Sequence, residues 1–311
     1  MRKAMTRLRL GTRGSPLALW QAHHVRDRLA ALHPALEIEI VEITTTGDRN
    51  LSQPLPEIGA EGLFTKEVEE ALLDGRIDAA VHSCKDVPTQ LPAGLALAAI
   101  LERVHGGDVL ISKARATLAE LPSASVLATG SLRRRAQLLH YRPDLSIVNL
   151  RGNLNTRFRK FHASDWAGMI LAEAGVVRLA MQHEITERIS TDVLLPAVGQ
   201  GALAREARAD DGGTRRLVAP LQHAETADAV AAERAFLHHL RGGCQVPVGA
   251  LATVAGERLR LQGVIASLDG KSLCRGALEG ARTQAQQVGV ALAEQLLARG
   301  ARAILDAIRA V

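Results

Sequence analysis

The stretch Leu195-Pro196-Ala197-Val198-Gly199-Gln200-Gly201-Ala202 decides how the chain is divided. It has neither the helical period of about 3.6 residues nor the alternation of a strand, although such patterns lie on both sides of it. A second irregular stretch, residues 102–108, separates two strand-like runs earlier in the chain. We interpret the two stretches as connections between the same pair of α/β units. Two such connections suit domains that open and close over a ligand.

Strand-like and helix-like patterns alternate on both sides of these connections, which predicts an α/β class of fold. We expect domain 1 to comprise residues 1–101 and 200–219, and domain 2 to comprise residues 107–195. Residues 223–311 contain one helix-like run, three short strand-like runs and a further helical region. This last pattern predicts a small α+β domain 3.

The composition is that of an ordinary globular chain: 311 residues, 47% hydrophobic and 23% charged, which is long enough for two or three domains. The cysteines Cys84, Cys244 and Cys274 are odd in number and share no metal-ligand spacing. We therefore expect a reducing compartment, no disulfide framework and no metal site. The basic start has no apolar run, and no segment is long enough to span a membrane, so we expect a cytoplasmic protein without a signal peptide.

The formal net charge is +5, and most of the basic residues are arginines. Arginine suits the bidentate capture of carboxylate or phosphate groups. Nucleic acid is the obvious alternative partner, but only 2% of the residues are aromatic, which leaves few platforms for stacking single strands. The sequence also has no zinc-finger spacing and no zipper heptad. Small anionic ligands are therefore the expected partners.

Two polar loops follow strand-like runs in domain 1. Gly11-Thr12-Arg13-Gly14-Ser15 links a strand to a helix that starts with Ser15-Pro16. This loop is either an anion site that includes Arg13 or a simple cap and turn. His82-Ser83-Cys84-Lys85-Asp86-Val87-Pro88 follows the apolar strand 77–81. Polar groups at the carboxyl end of such a strand face a ligand crevice in open α/β sheets, although a solvated turn explains the second loop equally well.

Domain 2 places Ser131-Leu132-Arg133-Arg134-Arg135 at the start of a predicted helix that Ser131 caps. Arginine is unfavourable for the dipole at a helix N-terminus, so three of them indicate an anion to bind. Arg151, Arg157 and Arg178 follow later strands in the same way. These arginines either line one cleft wall together or belong in part to a generic charged surface.

The stretch Leu240-Arg241-Gly242-Gly243-Cys244-Gln245-Val246-Pro247-Val248-Gly249 places one thiol behind two glycines at the end of a helix-patterned run. We expect the glycines to stop the helix and the thiol to lie at the tip of a loop. There Arg241 favours the thiolate that alkylation requires. The alternative is that Cys244 is a small buried hydrophobe.

These motifs together resemble the porphobilinogen deaminase family. The matching stretches, in chain order, are 12–18, 82–88, 131–134, 151–153, 196–201 and 242–247. The resemblance implies two periplasmic-binding-protein-like α/β lobes joined by two hinge crossings, plus a small C-terminal α+β domain that carries the cofactor cysteine. It implies a transferase of tetrapyrrole (heme) biosynthesis that condenses four porphobilinogen molecules head to tail into hydroxymethylbilane and releases ammonia. The implied cofactor is dipyrromethane, built from the substrate and covalently attached to Cys244.

The resemblance also implies roles for the residues at matching positions. Asp86 is expected to be catalytic: its carboxylate would stabilise the pyrrole cation that loss of ammonia leaves, and it would move protons. The expected cofactor-binding residues are Cys244, Lys85, Asp86, Ser131, Arg133, Arg134, Arg157, Arg178, Gly199 and Gln200. The expected substrate-binding residues are Arg13, Ser15, Phe64, Arg151 and Arg157, with Phe64 in a mobile loop over the site.

The chain departs from the family pattern at several positions. Glu57 and Glu61 stand where some relatives carry lysine, which argues against a carboxylate contact from that loop. Cys84 stands where other relatives carry Met or Leu, which indicates packing. Arg135 is a third arginine where two suffice, and we expect it to face solvent.

Two other functions remain open from the residues alone. A non-catalytic two-lobed binding protein for a small anionic ligand would be exported and would not need Cys244. A basic nucleic-acid-binding protein would bind with strongly salt-dependent affinity. The family suggests a monomer.

Overall fold

The computed structural model describes residues 6–49, 62, 64–243 and 245–310. The chain forms two compact units. Unit 1 consists of Met1–Leu51, Gly62–Arg103 and Ala202–Ala227, and unit 2 consists of Ser52–Glu61, Val104–Gly201 and Asp228–Val311. The chain therefore leaves unit 1 within the first irregular stretch and returns to it within the second. The division into three domains stays a prediction.

Unit 1 is built on a mixed sheet. Its strands are β1 (Arg7–Arg13), β2 (Glu37–Ile43), β3 (Ala79–Ser83), β4 (Leu95–Ile100) and β10 (Leu203–Arg208). Their order across the sheet is β2-β1-β3-β10-β4. β1 runs parallel to β2 and β3, whereas β10 is antiparallel to both of its neighbours. Strand β10, which follows the second connection, thus lies between β3 and β4 in the sheet of unit 1.

Helices cover both faces of this sheet. The helices of unit 1 are α1 (Pro16–Leu32), α2 (Thr46–Arg49), α3 (Lys66–Leu73) and α7 (Gly212–Val218), with 3₁₀ turns at Cys84–Asp86 and Ala219–Leu221. On one face, Val25 and Leu29 of α1 pack in the same core as Val218 of α7. On the other face, Val68 and Leu72 of α3 form a second core. Strand β3 lies between these two cores and is buried from Ala79 to His82, whereas the edge strand β2 alternates with exposed acidic residues.

Unit 2 contains a second mixed sheet. Its strands are β5 (Asp108–Ser112), β6 (Val126–Ala128), β7 (Ser146–Val148), β8 (Gly168–Ala172) and β9 (Glu187–Ile189). Their order is β7-β6-β8-β5-β9, and helices α4 (Leu132–Tyr141), α5 (Leu154–His162) and α6 (Glu173–Arg178) connect or follow these strands. β6 is parallel to β7 and β8, whereas β5 is antiparallel to its neighbours. In each sheet, the strand that directly follows a connection is antiparallel to its neighbours, while other strands of the sheet are parallel. The α/β class is therefore confirmed.

The rest of unit 2 is an antiparallel meander with helices. It comprises β11 (Val248–Ala255), β12 (Arg258–Ala266), β13 (Leu273–Ala281), α9 (Ala285–Leu296), α10 (Arg302–Arg309) and α8 (Ala224–His239), which begins in the last residues of unit 1. Phe236 of α8 belongs to the core that the meander and the helices share. Gly263 of β12 makes room for its ring, because a Cβ there would lie 2.5 Å from Phe236 Cζ. These elements match the pattern predicted for this part of the chain.

The end of α8 differs from the prediction that Gly242 and Gly243 provide the turn. The residue in the left-handed region is Arg241, with φ of 48°. The N–H of Arg241 donates to His238 O at 2.9 Å and that of Gly242 to Leu237 O at 3.0 Å, which is the Schellman pattern of a helix end. A Cβ at Gly242 would lie 2.5 Å from Leu237 Cδ1, so a larger residue there would require the Leu237 side chain to move.

Within the described ranges, none of the helices combines the length and the apolar character that crossing a bilayer requires. The same residues contain no group of three or more His, Cys, Asp or Glu side chains that could hold a metal ion.

Candidate functional site

A pocket opens at the carboxyl edge of the unit 1 sheet. β1 and β3 are parallel neighbours, with Leu10 paired to Ala79, so the loops that follow them lie side by side. The volume of this pocket is about 60 Å³. Its lining includes Arg13, Ser15, Phe64 and Asp86, which the sequence predicts as site residues, together with Leu17, Ala18, Gln21, Val81, His82 and Ser83.

Arg13 is the cation of this pocket. Its Cζ lies 4.3 Å from the centroid of the Phe64 ring, which is a cation–π contact. Ser15 caps α1 as predicted, with its Oγ 3.3 Å from the backbone nitrogen whose hydrogen bond it accepts. Gln21 Nε2 donates to Ser83 Oγ at 2.8 Å and so ties α1 to the end of β3. Two adjacent elements therefore fix the polar wall of the pocket.

Asp86 and Lys85 lie on the 3₁₀ turn that follows β3. Asp86 is half-buried and faces the pocket, whereas Lys85 is exposed and lies outside the described lining. Cys84 begins the same turn and is only 2% exposed. Its burial agrees with the packing role expected for it.

His82 adds a buried imidazole to this pocket. Its side chain is 3% exposed, and its Nε2 lies 3.2 Å from Oε2 of Glu206 on β10. Glu69 of α3 is also buried. Burial is the largest influence on the pKa of Glu69 and raises it, and the nearby charge of Glu206 raises it further. The pocket thus has a group of buried titratable side chains behind it.

In unit 2, Arg133 and Arg134 converge on the buried carboxylate of Asp108. Arg133 Nη1 donates to Oδ2 at 2.7 Å, and Arg134 donates to Oδ1 through Nε at 3.0 Å and Nη2 at 2.7 Å. Burial alone would raise the pKa of Asp108, but the charges and hydrogen bonds of the two guanidinium groups outweigh it and hold the pKa well below its usual range. Arg133 and Arg134 therefore bind a carboxylate of the chain itself, that of Asp108. Two guanidinium groups on one carboxylate leave one surplus positive charge.

The start of α4 lies against the loop that follows β7. Ser131 caps α4, since its Oγ accepts from the N–H of Arg134 at 3.4 Å, while Arg135 is exposed. Gly130 allows a close approach between the two loops: a Cβ there would lie 2.5 Å from Leu150 O. The loop of Ser131 is thereby brought beside the loop that begins at Arg151.

The three later arginines differ in what they contact. Arg157 Nε donates to Gly152 O at 2.8 Å, and Arg178 Nη2 donates to Gly201 O at 2.7 Å. Burial lowers the pKa of Arg178 to about 10 and also lowers that of Arg151. Arg151 Nη1 is buried and has no hydrogen-bond partner in the part of the chain that the structure describes. Arg151 therefore has a guanidinium donor left for a ligand.

Gly199 and Gln200 hold the second connection in place within unit 2. Gln200 Nε2 donates to two carbonyl oxygens of the first connection, both at 2.9 Å, and to Asp108 Oδ1 at 3.0 Å. The N–H of Gly199 donates to Oε2 of Glu233 at 2.7 Å. Glu233 is fully buried on α8, and its Oε1 accepts from the backbone of β11 at 2.8 Å. A carboxylate of α8 thus fixes the backbone of this connection.

Sequence reasoning missed four of these residues: Asp108, Gln21, Glu206 and Glu233. A signal existed for Asp108, because a charged residue that opens an apolar strand must be paired if it is buried. The other three make their contacts with residues far away in sequence, so no local pattern marks them.

Three residues weighed in the sequence lie outside the described residues: Cys244, Glu57 and Glu61. The predicted residues that are described fall into two sets. In unit 1, Arg13, Ser15, Phe64 and Asp86 share one pocket, and Lys85 is beside it. In unit 2, the cluster on Asp108 includes Arg133, Arg134 and Gln200, while the adjoining loops and helices carry Ser131, Arg151, Arg157, Arg178 and Gly199.

Comparison with known proteins gives near full-length matches. A family described as "Porphobilinogen deaminase, dipyromethane cofactor binding domain" matches residues 8–216, and "Porphobilinogen deaminase, C-terminal domain" matches residues 227–298. A porphobilinogen deaminase of Syntrophotalea carbinolica is 53% identical over 301 residues, which cover 97% of this chain and 96% of that protein. One of Pelotomaculum thermopropionicum is 53% identical over 300 residues, or 96% of each chain.

Among solved structures, the methionine-binding protein MetQ is similar with a TM-score of 0.43 and 16% identity, covering 70% of this chain and 89% of that one.

Proposed function

The chain belongs to the porphobilinogen deaminase family, and from this premise we propose how its own residues carry out the reaction. The protein is a transferase, a hydroxymethylbilane synthase, that condenses four porphobilinogen molecules head to tail and releases ammonia. Its cofactor is dipyrromethane, which we assign to the thiol of Cys244. The observation that carries this function is the near full-length identity to proteins named porphobilinogen deaminase.

The residues of unit 2 fit a cofactor that is rich in carboxylates. Dipyrromethane carries acetate and propionate groups, so its site needs guanidinium donors that the chain itself does not use. The surplus positive charge on the Asp108 cluster and the buried Nη1 of Arg151, which no described residue accepts from, both meet this need. When bound, the cofactor supplies the free pyrrole carbon to which the first substrate unit is joined. The residues that we assign to holding it are Lys85, Asp86, Ser131, Arg133, Arg134, Arg157, Arg178, Gly199 and Gln200.

Within unit 2, Asp108 and Gln200 act as supports for the arginines. Asp108 fixes Arg133 and Arg134 by three hydrogen bonds, so their remaining donors keep one orientation. Gln200 bonds the same carboxylate and fixes the connection beside it. A guanidinium that is already oriented loses less entropy when it binds a carboxylate.

In the unit 1 pocket, Arg13 binds a carboxylate of the porphobilinogen side chains. The ring of Phe64 restricts the guanidinium on one face, and Ser15 offers a hydroxyl beside it. We assign Arg151 and Arg157 to the carboxylates of the growing chain. This assignment is supported by the donor of Arg151 that has no described partner.

Asp86 provides negative charge where positive charge develops. Loss of ammonia from the aminomethyl group leaves a cation conjugated with the pyrrole nitrogen, and a fixed carboxylate stabilises such a cation more than it stabilises the substrate. Asp86 lines the pocket that also contains Arg13. The cation therefore forms near Asp86 while the substrate's own carboxylates are held by arginine.

We propose further that the protein is a cytoplasmic monomer that does not bind nucleic acid. Cys274 has no disulfide partner among the described residues, which suits a reducing compartment. Arg133 and Arg134 are buried against Asp108, so part of the excess of basic residues is not available as a surface stripe for phosphates.

Intact-mass measurement of the purified protein tests the function. The protein should be heavier than its sequence by two pyrrole units, and Cys244→Ser should remove that excess while the control Cys274→Ser keeps it. A non-catalytic binding protein for a small anion would show no excess and no consumption of porphobilinogen. A protein that is active without the excess mass would contradict the assignment to Cys244.

A further inference from the structure

The buried group behind the unit 1 pocket has no part in the chemistry assigned so far. His82 lines the pocket, and its Nε2 lies 3.2 Å from Oε2 of Glu206. Glu206 is fully buried, and neither of its carboxylate oxygens accepts a hydrogen bond from a described residue. The structure thus places the imidazole of His82, which lines the pocket, directly beside a buried carboxylate.

The other charged groups around His82 leave this pairing intact. They are Glu69 from α3, Asp86 and Lys85 from the turn after β3, Arg13 from the end of β1, and Arg205 beside Glu206 on β10. Burial raises the pKa of Glu69, and the charge of Glu206 raises it further. Arg205 follows the alternation of a strand and points to the opposite face of the sheet from Glu206.

Each condensation requires a base in addition to a stabilising carboxylate. The aminomethyl group of the incoming porphobilinogen leaves as ammonia, a carbon–carbon bond forms, and the accepting pyrrole carbon then gives up one proton to restore the aromatic ring. If Asp86 took this proton, it would lose the negative charge that stabilises the next cation. A second proton acceptor in the same pocket removes that conflict.

Resting on the proposed function, we propose that His82 is this proton acceptor and that Glu206 is a positioning residue for it. The negative charge of a carboxylate 3.2 Å from Nε2 favours the tautomer with the proton on that nitrogen, which leaves Nδ1 as the acceptor. The proton then combines with the released ammonia and leaves as ammonium, so His82 returns to its neutral form and no other reactant is needed.

The test compares His82→Ala with the control His33→Ala, a histidine of the same unit that contacts Leu217 O rather than the pocket. Intact mass first establishes that each protein carries the two extra pyrrole units. We expect kcat of His82→Ala to fall by about 10²-fold or more with little change in KM, and added imidazole to restore part of it. If His82→Ala carries the two extra pyrrole units and its kcat lies within about threefold of that of the control, the proposal is overturned. General base catalysis is worth about 10²–10⁴-fold in rate.

Glu206→Gln leaves the imidazole of His82 in place. If His82→Ala does not carry the two extra pyrrole units, Glu206→Gln tests the proposal by itself. Without the carboxylate the imidazole loses the group that orients it, so kcat of loaded Glu206→Gln should fall by about tenfold or more with little change in KM. A loaded Glu206→Gln that keeps the kcat of the wild type contradicts the proposal. A wild type that neither carries the extra mass nor consumes porphobilinogen contradicts the function itself, so the two failures are distinct.

Discussion

The substitution Asp108→Asn removes the charge at the centre of the arginine cluster. It keeps the size of the side chain and one oxygen acceptor, but it withdraws the carboxylate to which Arg133 and Arg134 donate. Both arginine side chains are only 6% exposed, so water has little access to replace the lost partner. The variant therefore holds two buried cations near one neutral amide.

The expected loss follows from the burial of the ion pairs. Removal of one partner of a buried pair costs about 3–5 kcal/mol. Leu195 O and Ile170 O continue to accept from the two guanidinium groups, so we take the lower end, about 3 kcal/mol. At roughly 2–4 °C per kcal/mol, the melting temperature should fall by roughly 6–12 °C.

The size of this loss depends on pH. The pKa of Asp108 in the folded protein is below its usual value, so its stabilisation is fully present above the ordinary pKa of about 3.9 and is lost as the pH falls towards the folded value. The difference in unfolding free energy between wild type and variant should be constant from about pH 7 to pH 5 and shrink below about pH 4.

Thermal unfolding followed by circular dichroism measures this difference on samples with equal cofactor loading. The control is Asp165→Asn, an exposed residue of the same unit, which should change the unfolding free energy by less than about 0.5 kcal/mol. If Asp108→Asn melts within about 1 °C of the wild type at neutral pH, the guanidinium groups do not depend on this carboxylate and the reasoning is refuted.

Three further substitutions test other parts of the account. Asp86→Asn should keep most porphobilinogen binding but lower kcat by about 10²–10³-fold, and retained turnover in a steady-state assay would show that the carboxylate is dispensable. Arg151→Leu removes the buried donor without a described partner and should reduce cofactor loading or chain elongation, measured by intact mass and product yield; full loading with full activity would contradict this. Arg205→Met should raise the unfolding free energy by about 1–3 kcal/mol in denaturant titrations at pH 7, because none of its guanidinium nitrogens hydrogen-bonds a described residue. Burial lowers the pKa of Arg205 to about 9, so its cost is present below that pH and relieved above it, and a less stable Arg205→Met would show that the guanidinium has a partner.

Local sequence signals predicted the elements and the caps well. Ser15 and Ser131 cap the helices that they were expected to cap, because capping depends only on residues within one helical turn. The loops that carry Arg13, Asp86 and Arg151 follow strands for the same local reason. Their collection at two sheet edges then follows from strand order.

Partners from distant parts of the chain were not predictable in this way. The arginines at the start of α4 indicated an anion, but the sequence did not reveal that Asp108 would supply one. Strand β10 was also hidden, since Arg205 and Glu206 interrupt its apolar pattern with two charged residues that the fold nevertheless buries. The end of α8 shows a third limit, because its left-handed residue is Arg241 and not one of the two glycines that follow it.

The contrast between Arg133 and Arg151 indicates which arginine a ligand depends on most. Arg133 already donates to Asp108 and to Leu195 O, so a bound carboxylate adds to interactions that the chain has satisfied. Arg151 is partly buried with one donor that no described residue accepts from, and such a donor carries a desolvation cost until a ligand meets it. Binding a carboxylate at Arg151 therefore recovers a larger free energy than binding the same group at Arg133. At equal stability, loss of the Arg151 guanidinium should reduce ligand occupancy more than loss of the Arg133 guanidinium.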